Sequence, residues 1–361
     1  MNTKQIRYIG SKESLIDFLL ENFKKYTEKI DSFVDIFSGT NIVSYNVSNM
    51  GVKNVSSYDM SSYSESLSSL INPDIKIEFI EYIKNLDRLE LIDNGIFFNE
   101  FSINGNPTTI SKDKFKNQEH NYRMFFGERV GKKIDTIREK VISDFKNNLI
   151  NEEEKNICMS LLLKYADVNA NTTGVYGAYL KKENKNEKPF ISEKQIKSLL
   201  SIKKKEDIKY SFKKLDVLDA IRDIDGVVDL IYMDPPYNTR KYETNYHILE
   251  YLTDINFKVE NIKNDTISAV PNIKIKNPFG SKSTTKGIFN DMIYHASKKC
   301  KTLIISYNNQ GLMKDSDILS ICDKYNLNLE IVKKNYKKYK SHSVTIQGDV
   351  EEILWIIKNK K

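Results

Sequence analysis

Short apolar runs, each followed by a polar or glycine-containing turn, recur along the chain and predict the strands of a sheet. The runs cover residues 33–37, 52–59, 208–212, 227–233 and 303–307. Two further β-rich runs, at 327–332 and 352–357, flank a basic segment and predict a final antiparallel pair. Together these patterns predict an α/β fold: a Rossmann-like, doubly wound, mostly parallel sheet with an antiparallel C-terminal hairpin.

Helical patterns lie after the first strand and in the long block that follows the second. Residues 41–50 predict a helix that ends where Gly51 can take the C′ position. Residues 123–149 and 152–168 also show helical periodicity. Asn151, ahead of three glutamates, predicts the N-cap of the second of these helices.

The same pattern divides the chain into a sheet domain and an insertion. Residues 1–60 and 192–361 supply the predicted sheet, and residues 61–191 supply a mainly helical inserted domain. Within the insertion, residues 95–101 and the turn after them predict a small irregular or hairpin element. The polar run 169–179 suits a nucleic-acid surface and a glycine-containing packing loop equally well.

Composition narrows the class of protein only slightly. The 361 residues are 40% hydrophobic, and no apolar run approaches the ~20 residues of a membrane helix. The first residues lack an apolar signal segment, so we expect a cytoplasmic protein with no membrane contact. Three widely spaced cysteines and four scattered histidines predict no metal site. The net charge of +7 permits a nucleic-acid partner without requiring one.

The ends of the first two predicted strands carry residues that suit nucleotide binding. Gly39 would let the backbone approach a ligand closely, and Asp59 could accept hydrogen bonds from two ribose hydroxyls. Each has an ordinary alternative, since Gly39 could form a tight turn and Asp59 could cap a strand end. These two residues are therefore only a weak indication of nucleotide binding until they are combined with the motif that follows residue 233.

The strongest chemical signal is Asp234-Pro235-Pro236-Tyr237, directly after the apolar run 227–233. The two prolines remove backbone donors and stiffen the exit of the strand. The Asp234 carboxylate and the Pro235 carbonyl could both accept hydrogen bonds from one amino group, while the Tyr237 ring stacks on the base that carries it. A strand followed by a Pro-Pro turn with a capping aspartate is the less specific alternative.

With these pieces in order, the chain resembles the Dam-like, alpha-group DNA adenine N6 methyltransferases. Within that group it is most similar to modification methylases of restriction systems that act on asymmetric sites. The resemblance covers most of the chain and rests on five features: the segment Arg7-Tyr8-Ile9-Gly10-Ser11-Lys12, the glycine turn Asp35-Ile36-Phe37-Ser38-Gly39-Thr40, the acids Asp59 and Asp216, and the loop Asp234–Tyr237. Ser11 and Thr40 depart from the commoner residues of the family, but both are small.

The resemblance implies a reaction and a set of site residues. The expected activity is transfer of a methyl group from S-adenosylmethionine to the N6 amino group of an adenine that is flipped out of duplex DNA at a specific sequence. The expected catalytic residues are Asp234, Pro235, Pro236 and Tyr237. The expected cofactor-binding residues are Tyr8, Gly10, Lys12, Asp35, Phe37, Gly39, Asp59 and Asp216, with Asp219 as a neighbouring candidate for the role of Asp216. The insertion occupies the place of the family's target-recognition domain.

Two basic segments predict contacts with DNA. The run 333–342 interleaves lysines with tyrosines and suits a loop that contacts phosphates. The segment 238–247, just after the catalytic loop, would close over the flipped base. The DNA-contacting candidates in these segments are Arg240, Tyr242, Lys334, Lys337, Lys338 and Lys340.

Two alternatives to this function remain open at the level of sequence. The same scaffold could methylate adenine in RNA, cytosine N4 or a protein amide, although aspartate at the head of the loop favours adenine N6. A non-catalytic DNA-binding module is the second alternative. We expect a monomer that acts on double-stranded DNA, and a companion restriction endonuclease is a candidate partner whose existence the sequence leaves open. The sequence predicts neither the bases recognised nor whether one strand or both are methylated.

Overall fold

A computed structural model of the chain describes residues 6–8, 10–108, 121–183, 186–237, 243–263, 266–271, 278–336 and 350–360. The chain forms two compact units. The helical unit comprises residues 1–11, 61–205 and 242–275, and the sheet unit comprises residues 12–60, 206–241 and 276–361. The sequence-based division differs from this one at 1–11, 192–205 and 242–275, and the assignment of a recognition domain to 61–191 stays a prediction.

Strands and helices alternate along the described chain except in the helical unit and in the C-terminal hairpin. The strands are β1 (Ser32–Ile36), β2 (Asn54–Asp59), β3 (Lys209–Lys214), β4 (Val228–Met233), β5 (Cys300–Asn308), β6 (Leu327–Tyr336) and β7 (Val350–Asn359). The α-helices are α1 (Ile16–Tyr26), α2 (Ile42–Asn49), α3 (Ser62–Ser68), α4 (Ile77–Asp87), α5 (Ile96–Phe101), α6 (Glu128–Lys146), α7 (Glu152–Asn169), α8 (Glu193–Leu200), α9 (Val217–Asp223), α10 (Glu243–Thr253), α11 (Lys282–Ala296) and α12 (Asp315–Lys324). Short 3₁₀ helices cover Lys12–Leu15 and Val259–Asn261.

The seven strands form one sheet in the order β3-β2-β1-β4-β5-β7-β6. The first five strands run parallel, and β7 pairs antiparallel with both β5 and β6. This arrangement confirms the predicted α/β fold with a parallel sheet and an antiparallel C-terminal hairpin. The runs of β1, β4 and β5 are local and mostly apolar, which is why the sequence pattern locates the central strands of the sheet.

Both faces of the sheet are covered. Alternate residues of β4 point to opposite sides, so Ile231 and Met233 pack in a cluster with α9, α11 and α12, while Leu230 and Tyr232 pack in a cluster with α1 and α2. A parallel sheet buried on both faces needs apolar residues at consecutive positions, which residues 230–233 supply. Among the residues that the structure describes, no helix is both long and apolar enough to cross a membrane.

The helical unit packs α6 against α5 and α7 around its own core. The prediction of an irregular or hairpin element at 95–101 was wrong, because Ile96–Phe101 is the helix α5. In its first turn, the N–H groups of Phe97 and Phe98 donate to the buried carboxylate of Asp135 on α6, at 2.8 and 2.7 Å. A cap supplied from 38 positions away leaves no signal in the local sequence.

The polar run 169–179 behaves mainly as a packing loop. The amide of Asn171 donates to the carbonyls of Met124 and Leu180, at 3.1 and 2.8 Å. Ala170, Thr172 and Tyr176 are also buried. These contacts favour the packing interpretation of the run over a nucleic-acid surface.

We expect Asn151→Ala to lower the free energy of unfolding of the helical unit by about 1 kcal/mol. Asn151 Oδ1 accepts from the N–H of Glu154, and Glu154 Oε2 accepts from the N–H of Asn151, both at 2.9 Å. Urea unfolding followed by circular dichroism measures the loss. Glu154→Gln keeps an acceptor in the capping box and is the control, with an expected loss of about 0.3 kcal/mol. Equal stability of Asn151→Ala and the unmodified chain would contradict the role of this cap.

Candidate active site

Four neighbouring parallel strands of the sheet unit end at one edge. Since β3, β2, β1 and β4 are adjacent and parallel, the residues that follow them lie along the same carboxyl edge. Those residues are the glycine turn after β1, Asp59, Asp216 and Asp234. This is the edge at which α/β sheets bind ligands, and β1 and β4 flank the point where the strand order reverses.

The glycine turn after β1 has an unusual backbone. Gly39 has a φ of 49°, and two residues with side chains, Phe37 and Asn41, also have positive φ, at 65° and 59°. Non-glycine residues in this region are under strain and cluster at functional sites. The N–H of Gly39 donates to Asp59 Oδ2 at 2.9 Å, so β2 holds the turn in place. The Phe37 ring meets Phe279 edge-on at 5.7 Å.

Asp35 lies inside the unit below this turn. It is 1% exposed, and its carboxylate accepts from the Ser44 hydroxyl of α2 at 2.6 Å. Ser44 also contacts the Ser57 hydroxyl of β2 at 2.7 Å. Burial raises the pKa of Asp35 to about 7, although the hydrogen bond from Ser44 opposes that shift. Asp35 therefore joins β1, α2 and β2 in this structure, and its contact with a cofactor stays a prediction.

Asp216 follows β3 and caps helix α9. Its carboxylate accepts from the N–H groups of Leu218 and Asp219, at 2.9 and 3.0 Å. The residue is exposed. The N-cap accounts for one carboxylate oxygen, and the predicted hydrogen bond to a cofactor adenine stays a prediction.

The predicted catalytic loop begins at the end of β4. The N–H of Asp234 donates to the Ile36 carbonyl of β1 at 3.4 Å, which keeps the loop beside the glycine turn. The Tyr237 carbonyl accepts from the Leu312 N–H and from the Tyr307 hydroxyl, both at 3.1 Å. Pro235 is buried and Pro236 is half-buried. Backbone hydrogen bonds thus anchor the loop at both ends.

A buried lysine joins the loop to the rest of the sheet unit. Lys12 is 4% exposed, and its Nζ lies 3.0 Å from Asp234 Oδ1 and 2.9 Å from Glu352 Oε1 on β7. Lys12 also donates to the Tyr237 hydroxyl, and that hydroxyl donates to Asp234 Oδ1. The Tyr237 ring packs edge-on against Tyr307 at 4.9 Å. Within the described part of the chain, both donors to Asp234 use Oδ1.

The charges in this cluster shift each other's pKa values. Burial alone lowers the pKa of Lys12, but the carboxylates of Asp234 and Glu352 reverse that effect and hold it well above its usual value. Burial raises the pKa of Asp234 to about 6, Lys12 lowers it, and Glu352 raises it. A carboxyl with a strongly perturbed pKa beside a glycine turn is typical of a functional site. No cluster of metal-binding side chains occurs in the described ranges.

Two predicted cofactor residues belong to the helical unit. The Tyr8 ring stacks on Tyr246 at 4.4 Å, and its hydroxyl contacts that of Tyr63 at 3.1 Å. Gly10 has a φ of 89°, a backbone conformation that only glycine adopts readily. The cofactor contacts of Tyr8 and Gly10 stay predictions.

Most of the predicted DNA contacts lie outside the described residues, namely Arg240, Tyr242, Lys337, Lys338 and Lys340. Lys334 lies on β6, with its Nζ 5.0 Å from the centre of the Phe18 ring. The sequence pattern pointed to no role for Glu352. A signal existed, because Glu352 shares its face of β7 with the buried residues Leu354 and Ile356.

Comparison with known proteins assigns this sheet and its aspartate loop to a class. The model of the D12 class N6 adenine-specific DNA methyltransferases matches residues 8–268, which include the glycine turn and the Asp234 loop. The chain belongs to this family. The predicted resemblance to DNA adenine N6 methyltransferases is confirmed by this match.

Named relatives agree with the family. The chain is 27% identical to Type II methyltransferase M.CviAII of Paramecium bursaria Chlorella virus 1, over 98% of both chains. It is 28% identical to Type II methyltransferase M.NlaIII of Neisseria lactamica, over 93% of both. It is also 27% identical to Modification methylase StsI of Streptococcus sanguinis, where it spans 98% of its own length but 52% of the relative's.

Solved structures add little to this picture. A Thermoplasma acidophilum protein and a Pyrococcus horikoshii protein align over 96% and 99% of this chain and 88% of their own, but each with a TM-score of 0.32 and at 8% and 9% identity. A likeness this weak carries no information about the reaction.

We expect Asp35→Asn to change how stability depends on pH. A carboxyl whose pKa is raised on folding stabilises the fold fully below its unfolded value of 3.8, and this contribution is lost as the pH rises through about 7. The unmodified chain should therefore lose stability across this range, and the variant should lose less. Thermal unfolding at about pH 4 and about pH 8 tests this, because the variant should gain relative to the unmodified chain only at the higher pH. Asp323→Asn, at an exposed position of α12, is the control. A parallel pH dependence of the variant and the unmodified chain would contradict the assignment.

Proposed function

We propose that this chain is a site-specific methyltransferase that transfers a methyl group from S-adenosylmethionine to the N6 amino group of adenine in DNA. The observation that carries the proposal is the Asp234 carboxylate at the end of β4. It lies beside the glycine turn after β1, and it is held on one oxygen by Lys12 and Tyr237. Family membership supplies the reaction class.

The edge of the sheet unit has the groups that S-adenosylmethionine needs. The backbone of Gly39, at a positive φ that side chains rarely adopt without strain, would lie against the donor. Asp59 would accept from the ribose hydroxyls and Asp216 from the adenine amino group, as the resemblance implies. When bound, the sulfonium supplies an electrophilic methyl group. The remaining chemistry belongs to side chains of this chain.

Asp234 would prepare the target nitrogen. The lone pair of an adenine amino group is delocalised into the ring, so the nitrogen is a poor nucleophile. Both donors to Asp234 among the described residues use Oδ1, so Oδ2 would accept one amino hydrogen and the Pro235 carbonyl the other. Two fixed acceptors favour a pyramidal nitrogen with an exposed lone pair, which is electrostatic preorganisation.

Tyr237 would cover the flipped base. In this structure its hydroxyl donates to Asp234 and its ring rests edge-on against Tyr307. Stacking of a base on an aromatic ring is worth about 1–3 kcal/mol, which offsets part of the few kcal/mol needed to extrude the base. The helical unit would read the target sequence, and Lys334 and the other basic candidates would contact phosphates.

The biological setting is also part of the proposal. The relatives carry the names Type II methyltransferase and Modification methylase, which belong to restriction systems. We therefore propose double-stranded DNA as substrate, a companion endonuclease as genetic partner, and a monomer as the acting form. Incubation with labelled S-adenosylmethionine and DNA, followed by digestion and chromatography of the nucleosides, tests the reaction. Label in N6-methyladenine supports the proposal, whereas label only in N4-methylcytosine, or only in an RNA control, refutes it.

We expect Asp234→Ala to lower the rate of methyl transfer by at least about 10²–10³-fold, because the variant lacks the charged acceptor for the amino group. Binding of S-adenosylmethionine and of DNA should change little, since Lys12 keeps its partner Glu352. Single-turnover transfer, calorimetry for the donor and a gel-shift assay for DNA measure the three properties. Asp323→Asn serves as the control. Full activity of Asp234→Ala would contradict the assigned role.

We also expect kcat/KM to fall as the pH drops through about 6, because this ratio follows ionisation of the free enzyme. Burial raises the pKa of Asp234 to that value, so the carboxylate takes up its proton at a higher pH than an ordinary aspartate, whose pKa is 3.8. A pH profile of transfer at limiting DNA measures this limb. A fall in kcat/KM that begins only near pH 3.8 would show that Asp234 does not control the rate.

A further inference from the structure

The last strand of the sheet supplies a second carboxylate to the cluster around Lys12. Glu352 on β7 has a fully buried side chain, and its Oε1 lies 2.9 Å from Lys12 Nζ. The Ser306 hydroxyl of β5 donates to the same oxygen. Because Lys12 Nζ is also 3.0 Å from Asp234 Oδ1, one ammonium joins the catalytic loop to the C-terminal hairpin.

The stability of the fold alone does not explain this buried ion cluster. Glu352 Oε2 is buried and has no hydrogen-bond partner among the described residues, and the same is true of the neighbouring Tyr232 hydroxyl. Buried ion clusters are often no more stable than apolar residues of similar volume, because desolvation offsets the attraction between the charges. A buried carboxylate with an unsatisfied oxygen needs another explanation.

We propose that Glu352 is a positioning residue for methyl transfer, which fixes Lys12 so that the lysine holds Asp234 by Oδ1 and leaves Oδ2 directed at the substrate amino group. This inference rests on the proposed function. Held between two carboxylates and the Tyr237 hydroxyl, the ammonium has little freedom to move. With Glu352 neutral, Lys12 would lose one charged partner and Asp234 would lose part of its alignment.

Glu352 also adds negative charge close to Asp234. The charged and titratable groups around Asp234 are Lys12 before α1, Asp35 on β1, Tyr232 on β4, Tyr237 in the loop and Glu352 on β7. Glu352 disfavours the carboxylate form of Asp234, while Lys12 favours it. Removal of the Glu352 charge should therefore let Asp234 ionise at lower pH.

The decisive variant is Glu352→Gln, which keeps the size of the side chain and an acceptor for Ser306 and Lys12. We expect kcat to fall by about 10²-fold, as misplacement of a catalytic group by about 1 Å does. KM for DNA and for S-adenosylmethionine should stay within about twofold, which separates loss of alignment from loss of binding. The acid limb of kcat/KM should move below about 6, toward 3.8. The melting temperature should change little, because Lys12 keeps Asp234 as a charged partner and is not left as an unpaired buried charge.

Glu351→Gln is the matched control. Glu351 is the preceding residue of the same strand and forms an ion pair with Lys333 at 3.5 Å, on the other face. Its rate and pH profile should equal those of the unmodified chain. Wild-type kcat and an unmoved acid limb in Glu352→Gln would overturn the inference, and so would a fall in melting temperature with both kinetic readouts unchanged.

A second variant keeps the inference testable if Glu352→Gln fails to fold. Ser306→Ala retains all charges and removes a hydroxyl that donates to Glu352 and also forms a hydrogen bond with Tyr237. The variant is therefore measured in a Tyr237→Phe background, which lacks the second of these bonds. A further fall in kcat with unchanged KM values supports the inference, and an unchanged kcat overturns it. Failure of the proposed function has a different signature, because the unmodified chain itself would then transfer no label to DNA adenine.

Discussion

The ion pairs of Lys12 with Asp234 and Glu352 are the interaction on which the candidate site depends. An ammonium that is 4% exposed is stable only with opposite charge beside it, and here the charge comes from the loop after β4 and from β7. The segment before α1, the central strand and the antiparallel hairpin are therefore coupled at one point. Lys12 favours the charged form of Asp234, and Asp234 and Glu352 together keep the buried Lys12 charged.

Strain in the glycine turn complements this electrostatic constraint. Phe37 and Asn41 adopt positive φ on either side of Gly39, and the Gly39 N–H is held by Asp59. Strained backbone persists only where the surroundings fix it, and here β2 does so. The same edge of the sheet thus carries both a buried charge cluster and a strained turn, which is typical of a binding site and not of a packing turn.

Features that are encoded locally could be predicted from the sequence. The apolar run at 228–233 and the N-cap Asn151 with Glu154 three positions later need no knowledge of the rest of the chain. Helix α5 was missed because its N-terminal donors are satisfied by Asp135 on another helix. Asp216 caps helix α9 through local hydrogen bonds to Leu218 and Asp219, a role that competes with the cofactor contact implied by the family resemblance. In each case the missing information was a partner distant in sequence or a competing local hydrogen bond.

Glu352 shows why the loop after β4 alone does not define the candidate site. The family match ends at residue 268, whereas the carboxylate that shares Lys12 with Asp234 comes from the final strand. Antiparallel pairing puts Glu352 opposite Asn308, at the end of β5 that lies beside the carboxyl end of β4. A parallel last strand would need its own crossover and would present its carboxyl end, not its first residues, at this edge. The antiparallel direction of β7 therefore allows a residue near its start to reach the loop. The negative charge near Asp234 thus depends on the topology of the hairpin.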